Sequence, residues 1–480
     1  MSATLEARTV DRPTPSAPPH ATDGPVRQRR WVALGLLVSA QFVVMLDTSI
    51  VNVALPSIQT ELELTPTAVT WVVNAYVLAF GGFLLLSGRA ADLFGRRRMF
   101  VTGSAVFTVG TLISAFATSQ GLLVGGRIVQ GVGAAALSPA AMSLLILTWT
   151  GPQRAHAMSI WGAASALGGA TGVMAGGLLV GSFGWSSVFL VTVPVSVVAV
   201  VAARHLLPEG ARGTRRRFDW HGAASITGSV IALVHGALGL AERGLSSPTV
   251  LVSLASSVSL LAVFITIERR TADPLVPLAL FRSRTMGTGV GLAVLGGAAR
   301  ASTFVLVALY LQQALAMSPQ EAGLAMVPTS LTGFAFSLSL LPRIVRALGP
   351  QRSLVLGLLV LAAGHLWLAY APRANGYVVA VLPGLLLVAI GVALSFTPTT
   401  MVIASAAPAS HAGLVSGLAG SATQVGAALG TAAFTAIGIT MGAPATTELG
   451  ATGFSAAFTA AAVVALATAA LGSTISRTRP

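Results

Sequence analysis

One short charged stretch decides the fold: Gly88-Arg89-Ala90-Ala91-Asp92-Leu93-Phe94-Gly95-Arg96-Arg97-Arg98. It joins two apolar segments, each close to the roughly 20 residues that a helix needs to cross a bilayer. The same alternation of a long apolar segment and a short charged loop runs from Trp31 almost to the C-terminus. The chain is therefore predicted to be a polytopic membrane protein.

The composition supports this prediction and excludes several function classes. Of 480 residues, 54% are hydrophobic and only 9% are charged, whereas soluble domains carry about 25% charged residues. All 28 Lys and Arg residues are arginine, so a Walker-type phosphate loop, which requires lysine, is excluded. The absence of cysteine excludes disulfides and thiolate metal sites. The formal charge of +14 is spread over short loops, which indicates membrane topology rather than nucleic-acid binding.

Apolar segments bounded by charge, proline or glycine predict fourteen spans. They begin near Trp31, Thr67, Met99, Gly121, His156, Trp185, Asp219, Thr249, Thr285, Glu321, Arg352, Gly376, Ala412 and Phe454. Arginines cluster in one set of alternate loops, as is typical of cytoplasmic loops. Because the number of spans is even, both termini are expected in the cytoplasm of a bacterium, with the chain in its inner membrane.

A weak internal repeat suggests two related halves. Gly95 recurs as Gly349, Pro139 as Pro398 and His156 as His411, at a separation of roughly 255 residues, as in duplicated transporters. We expect an all-α fold of two pseudo-symmetric six-helix halves plus two inserted helices. The predicted divisions are a disordered cytoplasmic tail (1–26), the N-terminal half (27–205), a linker with the inserted helices (206–270), the C-terminal half (271–475) and a cytoplasmic C-terminus (476–480).

The charged stretch resembles the G-x-L-A-D-R-x-G-R-R-R signature of the major facilitator superfamily, from which Ala90 and Leu93 depart. The rest of the chain resembles the fourteen-helix drug:proton antiporter branch of that superfamily. The resemblance implies a conformational gating loop formed by Gly88, Arg89, Asp92, Gly95, Arg96, Arg97 and Arg98. Asp92 can pair with arginines or with a helix N-terminus of the other half. The alternative is a plain positive-inside loop.

Two charged residues inside spans are candidates for proton coupling. Asp47 lies in Leu46-Asp-Thr-Ser-Ile-Val-Asn-Val-Ala-Leu-Pro56, which resembles a first-span motif of the antiporter branch. An acid at this depth costs about 2.5 to 3.5 kcal/mol, so it is expected to have a partner or a function. Arg127, in a segment similar to the R-x-x-Q-G motif, is the expected partner. Protonation of Asp47 would weaken this pair, whereas the alternatives are a structural acid or a permanent ion pair.

Glycines in the fifth span predict a helix-packing surface. Gly168, Gly172, Gly176 and Gly177 resemble the glycine-rich antiporter motif, although Val173 stands where that motif has proline. Ordinary packing of small residues is the alternative explanation.

Further polar residues inside spans are candidates for the substrate cavity: Asn52, Asn74, Gln130 and Arg300. Arg300 could bind an anionic group of a substrate or a fixed array of carbonyl groups, or have a packing or snorkelling role. His235 and His365 are expected to be helix-contact residues. The C-terminal half has no second deep acid, which favours neutral, monovalent or anionic substrates over dications.

The predicted function is proton-coupled export of small hydrophobic drugs or antibiotics. The alternatives are a dedicated exporter of one endogenous metabolite and, less favoured, a proton-coupled importer. The chain lacks the H-E-x-x-H and G-x-S-x-G motifs of two enzyme classes, so neither an enzyme nor any catalytic or metal-binding residue is predicted. We expect a monomer whose partners are its substrate, protons and lipid, with no cofactor and no nucleic acid.

Overall fold

The computed structural model describes residues 24–207, 218–244, 246–373, 376–442 and 450–475, and every regular element in these ranges is helical. Fourteen helices there are long and apolar enough to cross a membrane, which confirms the predicted fold class. Thirteen of the fourteen spans begin within three residues of the predicted positions. The proposed tail and C-terminus lie outside the described residues, except that the first helix already begins at Gly24.

The helices follow the predicted order of a half, an inserted pair and a second half. The first half contains α1 (Gly24–Glu61), α2 (Pro66–Phe94), α3 (Arg96–Ala115), α4 (Gln120–Thr148), α5 (Gly151–Phe183), α6 (Ser186–Leu190) and α7 (Val193–Leu206). The inserted pair is α8 (Trp220–Arg243) and α9 (Pro248–Arg270). The second half contains α10 (Arg284–Leu309), α11 (Pro319–Ala325), α12 (Val327–Ser339), α13 (Leu341–Tyr370), α14 (Leu382–Ser405), α15 (Ala412–Met441) and α16 (Ala451–Ser473). The sixth span combines α6 with α7, and the tenth combines α11 with α12.

Two equivalent glycines make the turns that follow the second and tenth spans. Gly95 separates α2 from α3 with φ +101°, and Gly349 interrupts α13 with φ +79°. Glycine populates this left-handed region without steric cost. The eleventh span was predicted to begin near Arg352. α13 begins earlier, at Leu341, but the break at Gly349 divides it, and its longer second part starts at Pro350, two residues from the predicted position.

Close backbone contacts hold the helices of each half together. A Cβ atom added to Gly110 of α3 would lie 2.7 Å from the Cα of Gln130 in α4. In the second half, a Cβ atom on Gly391 of α14 would lie 2.7 Å from the Cα of Leu361 in α13. In a bilayer, hydrophobicity does not drive helices together. Van der Waals packing does, and small residues allow the close approach of the backbones that it requires.

The two halves meet chiefly along two helix pairs, α2 with α15 and α5 with α12. The inserted helix α8 packs against both α2 and α15, where Val230 and Val234 contact Leu78 and Val425. It therefore covers one side of the seam between the halves. α9 lies outside α8, and several of its large side chains, such as Leu251 and Val258, are exposed.

One end of the helical bundle carries most of the loop arginines, and we call it the arginine-rich face. It includes Arg89, Arg96, Arg97, Arg98, Arg154 and Arg204. The gating loop predicted from the sequence, residues 88–98, lies at this face between α2 and α3.

Candidate functional site

Asp47 lies close to the middle of the first span and is completely buried. Its carboxylate Oδ2 accepts a hydrogen bond from Arg127 Nη1 at 2.7 Å, which forms a buried ion pair between α1 and α4. Arg127 is only 1% exposed. The structure thus brings together the two charged residues that the sequence singled out in this half.

Gln130, one helical turn after Arg127, completes the pairing. Its Nε2 donates to Asp47 Oδ1 at 2.7 Å and lies 2.9 Å from Thr111 Oγ1, while its Oε1 accepts from Arg127 Nη1 at 2.6 Å. Both carboxylate oxygens of Asp47 are therefore hydrogen-bonded. Because Thr111 lies on α3, the network joins three helices of the first half.

Arg127 also has neutral partners that do not depend on the charge of Asp47. Its Nε donates to the carbonyl oxygen of Val72 at 3.1 Å, and its guanidinium carbon lies 4.2 Å from the centre of the Tyr76 ring. Cation–π contacts of this kind stabilise a desolvated guanidinium. The site can therefore hold the arginine even when Asp47 is neutral.

The glycines of α5 pack against the turn of α1 that carries Asp47. Cβ atoms on Gly168, Gly172 and Gly176 would lie 2.6 Å from Phe42 O, 2.7 Å from Ser49 Cβ and 3.0 Å from Val53 Cβ. Gly177 differs, since a Cβ atom there would have no neighbour within 4 Å. It lies on another side of α5 in this structure and takes no part in the packing against α1.

This difference gives a matched pair of variants. Gly172→Leu is expected to push α1 away from α5 and to lower transport by at least about tenfold, since overpacking costs roughly 1 to 3 kcal/mol or more. Gly177→Leu adds the same side chain where there is open space, and transport should stay near the wild-type rate. Substrate efflux from reconstituted vesicles, normalised to folded protein, measures both. Equal rates for the two variants would contradict the packing interpretation.

In the gating loop, Asp92 caps a helix of the other half. Its Oδ1 accepts from the backbone N–H of Gly413 at 2.9 Å and its Oδ2 accepts from that of Leu414 at 2.8 Å, at the start of α15. Arg96 donates to Asp92 Oδ1 at 2.7 Å and to the carbonyl oxygen of Ala409 at 3.0 Å. The carboxylate thus joins the halves through a helix N-terminus and an arginine together, the two partners that the sequence offered as alternatives.

The glycine before this carboxylate lets the two helices meet. A Cβ atom on Gly88 would lie 2.9 Å from the Cα of Gly417 in α15. The backbones of α2 and α15 therefore approach closely at the arginine-rich face, which closes that end of the boundary between the halves.

The loop arginines bind different parts of the protein. Arg89 donates to the carbonyl oxygen of Pro274, in the linker after the inserted pair, at 3.2 Å. Arg97 donates to the carbonyl oxygens of Arg204 and Leu207 at the end of α7, both at 3.3 Å. Arg98 is exposed. The loop thus contacts the second half, the inserted segment and the last helix of its own half.

The remaining candidate residues are dispersed. Asn52 is exposed and donates to the carbonyl oxygen of Thr48 in its own helix, and Asn74 is half-buried. His365 is buried with its Nε2 2.5 Å from Thr303 Oγ1, and His235 stacks on Trp71 with ring centres 5.8 Å apart. Both histidines thus make contacts between helices.

Arg300 is buried in α10, where its Nη1 lies 3.4 Å from Ser395 Oγ of α14. It is far from the Asp47 pair in the chain and makes none of the hydrogen bonds of that network. The candidate cavity residues therefore do not form one cluster, since Gln130 belongs to the Asp47 network and Arg300 to the second half.

Sequence reasoning missed several members of the Asp47 network. Thr111, Tyr76 and the carbonyl group of Val72 all contact it. A threonine or tyrosine in an apolar span has no distinctive sequence pattern, and a backbone carbonyl group has no sequence signal at all. The only available signal was physical: a buried arginine needs more acceptors than one carboxylate provides.

Comparisons with known proteins show what the whole chain resembles. A family model described as Major Facilitator Superfamily matches residues 37–431. The chain is 36% identical over 445 residues to the cephamycin export protein CmcT of Amycolatopsis lactamdurans, covering 92% of this chain and 91% of that protein. It is 38% identical over 413 residues to the puromycin resistance protein pur8 of Streptomyces alboniger, covering 84% and 81%. The solved proton:xylose symporter XylE shares the fold, with a TM-score of 0.67 at 17% identity over 92% of this chain and 95% of that one.

Proposed function

Since this chain belongs to the major facilitator superfamily, in its drug-efflux branch, we propose that it is a proton-coupled antiporter that exports small hydrophobic drugs or antibiotics. In this proposal the substrate enters from the cytoplasm or the inner leaflet, and protons flow inward in exchange. The protein works as a monomer in a bacterial inner membrane, with both termini and the arginine-rich face in the cytoplasm. The proton gradient drives transport without a cofactor.

The proton gradient supplies enough free energy for this task. One proton crossing a potential of 100 mV releases about 2.3 kcal/mol, and each pH unit adds about 1.4 kcal/mol. Together these sustain a substrate gradient of a few hundredfold per proton, at about 1.4 kcal/mol for each factor of ten.

The buried pair of Asp47 and Arg127 is the observation that carries the proposal. Protonation of Asp47 removes the charge that Arg127 Nη1 faces at 2.7 Å, and so weakens the link between α1 and α4. The arginine is then held by Gln130 Oε1, the carbonyl group of Val72 and the Tyr76 ring. The neutral state is thereby tolerated, which a permanent structural pair would not require.

The burial of Asp47 also favours an alternating mechanism. The carboxylate has no exposed surface in this state, so it can exchange a proton with water only after neighbouring helices separate. The contacts of Asp92 with Gly413 and Leu414 close the arginine-rich face here. In the proposal, opening this face admits substrate, and opening the opposite face releases substrate and admits protons to Asp47.

The names of the relatives favour export over import. One relative is described as a cephamycin export protein and another as a puromycin resistance protein. Export to the outside is the direction that such descriptions require. Each description names one antibiotic, so a dedicated exporter of one compound stays the second candidate beside a multidrug pump.

The test is transport into inside-out proteoliposomes with an acidic lumen. Puromycin, a cephamycin, lincomycin and ethidium are supplied outside in turn, and a lumenal pH dye records proton efflux as substrate accumulates. The proposal expects accumulation with simultaneous, substrate-dependent proton loss, and no accumulation once a protonophore has dissipated the pH gradient. Response to several compounds identifies a multidrug pump, and response to one identifies a dedicated exporter. Accumulation that the protonophore leaves unchanged would contradict proton coupling.

A further inference from the structure

Arg300 is a buried cation whose hydrogen-bonding capacity is largely unused. It is 4% exposed, and its Nη1 donates to Ser395 Oγ at 3.4 Å. Its guanidinium carbon lies 5.8 Å from the centre of the Phe396 ring. Within the described part of the chain, its Nε and Nη2 atoms have no hydrogen-bond partner.

A buried arginine in this condition needs an explanation. Its side chain cannot be neutralised by losing a proton, so in a membrane it requires an anion or a polar cavity. Among the described residues no carboxylate pairs with Arg300, whereas Arg127, at a similar burial, has Asp47 at 2.7 Å. The second half thus contains an interior cation without a protein anion.

The depth of Arg300 rules out snorkelling to the membrane surface. It follows Arg284, the first residue of its span, by 16 residues and precedes Ala314, the last, by 14 (300 − 284 and 314 − 300). At about 1.5 Å per residue, either end is more than about 20 Å away along the helix. An arginine side chain is far shorter than this distance.

A recess made by glycine accommodates the guanidinium. Helical side chains lean towards the N-terminus, and Arg300 lies back over the preceding turn, where a Cβ atom on Gly296 would be 2.6 Å from its Nη1. Gly297 packs directly against α15, since a Cβ atom there would be 3.1 Å from the Cα of Thr423. The two glycines therefore leave room for the cation while keeping α10 close to α15.

The recess adjoins the boundary between the halves. Ser395 and Phe396, which border the guanidinium, belong to the same turn of α14 as Thr397. Thr397 contacts α5 of the first half, because a Cβ atom on Gly162 would lie 2.8 Å from its Oγ1. A substrate held between the halves would thus reach the level of Arg300.

The two unpartnered nitrogens lie on one edge of the guanidinium. Nε–H and the Nη2 group point in the same direction and form a fork that matches the two oxygens of a carboxylate. Ser395 occupies the other side, at Nη1. The free edge therefore has the donor geometry for one carboxylate, with the aromatic ring of Phe396 beside it.

We propose that Arg300 binds the anionic group of the transported substrate, and that the substrates of this protein include hydrophobic monocarboxylates. This inference rests on the proposed export function and names a substrate class for it. It also changes the charge moved in each cycle. Export of a monoanion against one inward proton moves two positive charges inward, whereas export of a neutral compound moves one, so the membrane potential drives monoanion export more strongly.

The test compares three dansyl compounds that differ chiefly in charge: dansylglycine, its neutral amide dansylglycinamide, and the cation dansylcholine. Their fluorescence reports binding to the purified protein in nanodiscs. We expect the wild type to bind dansylglycine at least about tenfold more tightly than the amide. Arg300→Gln should weaken dansylglycine binding by about 30-fold or more, as for loss of one partner of a buried charge pair, and leave amide binding within about twofold. Arg300→Lys should keep part of the preference, because it keeps the charge but loses the fork.

Arg346→Gln is the matched control, because it removes the same charge from an exposed arginine of the same half. It should leave the preference for dansylglycine unchanged. Equal affinities of the wild type for acid and amide would overturn the inference, as would an Arg300→Gln variant that loses both. Protonophore-sensitive transport of neutral substrates without this preference would contradict the role of Arg300 but leave the proposed proton-coupled export intact. A clear preference for dansylglycine, combined with transport that the protonophore leaves unchanged, would contradict only the proposed proton coupling.

Discussion

Asp47→Asn is expected to abolish proton-coupled export, with a fall of at least about 100-fold in uphill transport, in the range that loss of an essential proton-transfer group produces. Asparagine cannot exchange a proton, but it keeps the size of the side chain and a hydrogen-bond acceptor. Exchange of labelled for unlabelled substrate, which needs no net proton movement, should persist. Measurement of both activities in the same proteoliposomes separates loss of coupling from loss of the protein.

The same substitution should also destabilise the protein, because it leaves Arg127 buried without an anion. Breaking a buried pair commonly costs about 3 to 5 kcal/mol, and the neutral acceptors from Gln130 and Val72 should keep the loss near the lower end. The double variant Asp47→Asn with Arg127→Gln removes both charges. It should recover most of the thermal stability in detergent and still fail to couple transport to protons. Recovery of coupled transport by the double variant would show that the pair is structural.

Asp92→Asn is expected to open the arginine-rich face and to lower transport at least about tenfold. The substitution removes the negative charge that faces the N–H donors of Gly413, Leu414 and Arg96. It also leaves a single acceptor oxygen for them, because an amide NH2 group donates and cannot accept. The chain has no cysteine, so spin labels can be placed specifically at Gln153→Cys and Ser410→Cys. These exposed positions lie at the arginine-rich face, one in each half. Electron paramagnetic resonance should show a longer, broader distance distribution in the Asp92→Asn variant.

Glu321→Gln is the control for this experiment. Glu321 also caps a helix, since it accepts from the backbone N–H of Ser318 at 2.8 Å, but that contact lies within one half. The label distance should therefore stay as in the wild type. An unchanged distance in Asp92→Asn, or an equal change in both variants, would contradict the gating role of Asp92.

The features of the fold and the site that the sequence predicts are those that the bilayer enforces. A membrane requires apolar spans of a fixed length, so the span starts were predictable to within a few residues. A membrane also penalises buried charge, which is why Asp47 and Arg127 stood out and why a pairing between them was the natural expectation. The same argument marked Asp92, an acid among arginines in a short loop.

Other features depend on rotation of the helices about their axes, which the sequence does not encode locally. Gly172 and Gly177 are both glycines of the same glycine-rich segment, yet only Gly172 faces α1. The partners of Asp92 in α15 are backbone groups more than 300 residues away in the chain, as the separation of 321 positions from Gly413 shows. The unpartnered edge of Arg300 likewise became visible only when its neighbours on α14 were known.

Proton release on substrate binding shows whether Asp47 couples substrate transport to protons. The purified protein in weakly buffered detergent solution, with a pH indicator, is mixed with a saturating substrate near neutral pH. If substrate and proton exchange at Asp47, the wild type releases protons into solution, and the double variant Asp47→Asn with Arg127→Gln binds the same substrate without release. Equal proton release from both proteins would place the coupling group elsewhere and contradict the proposed role of Asp47.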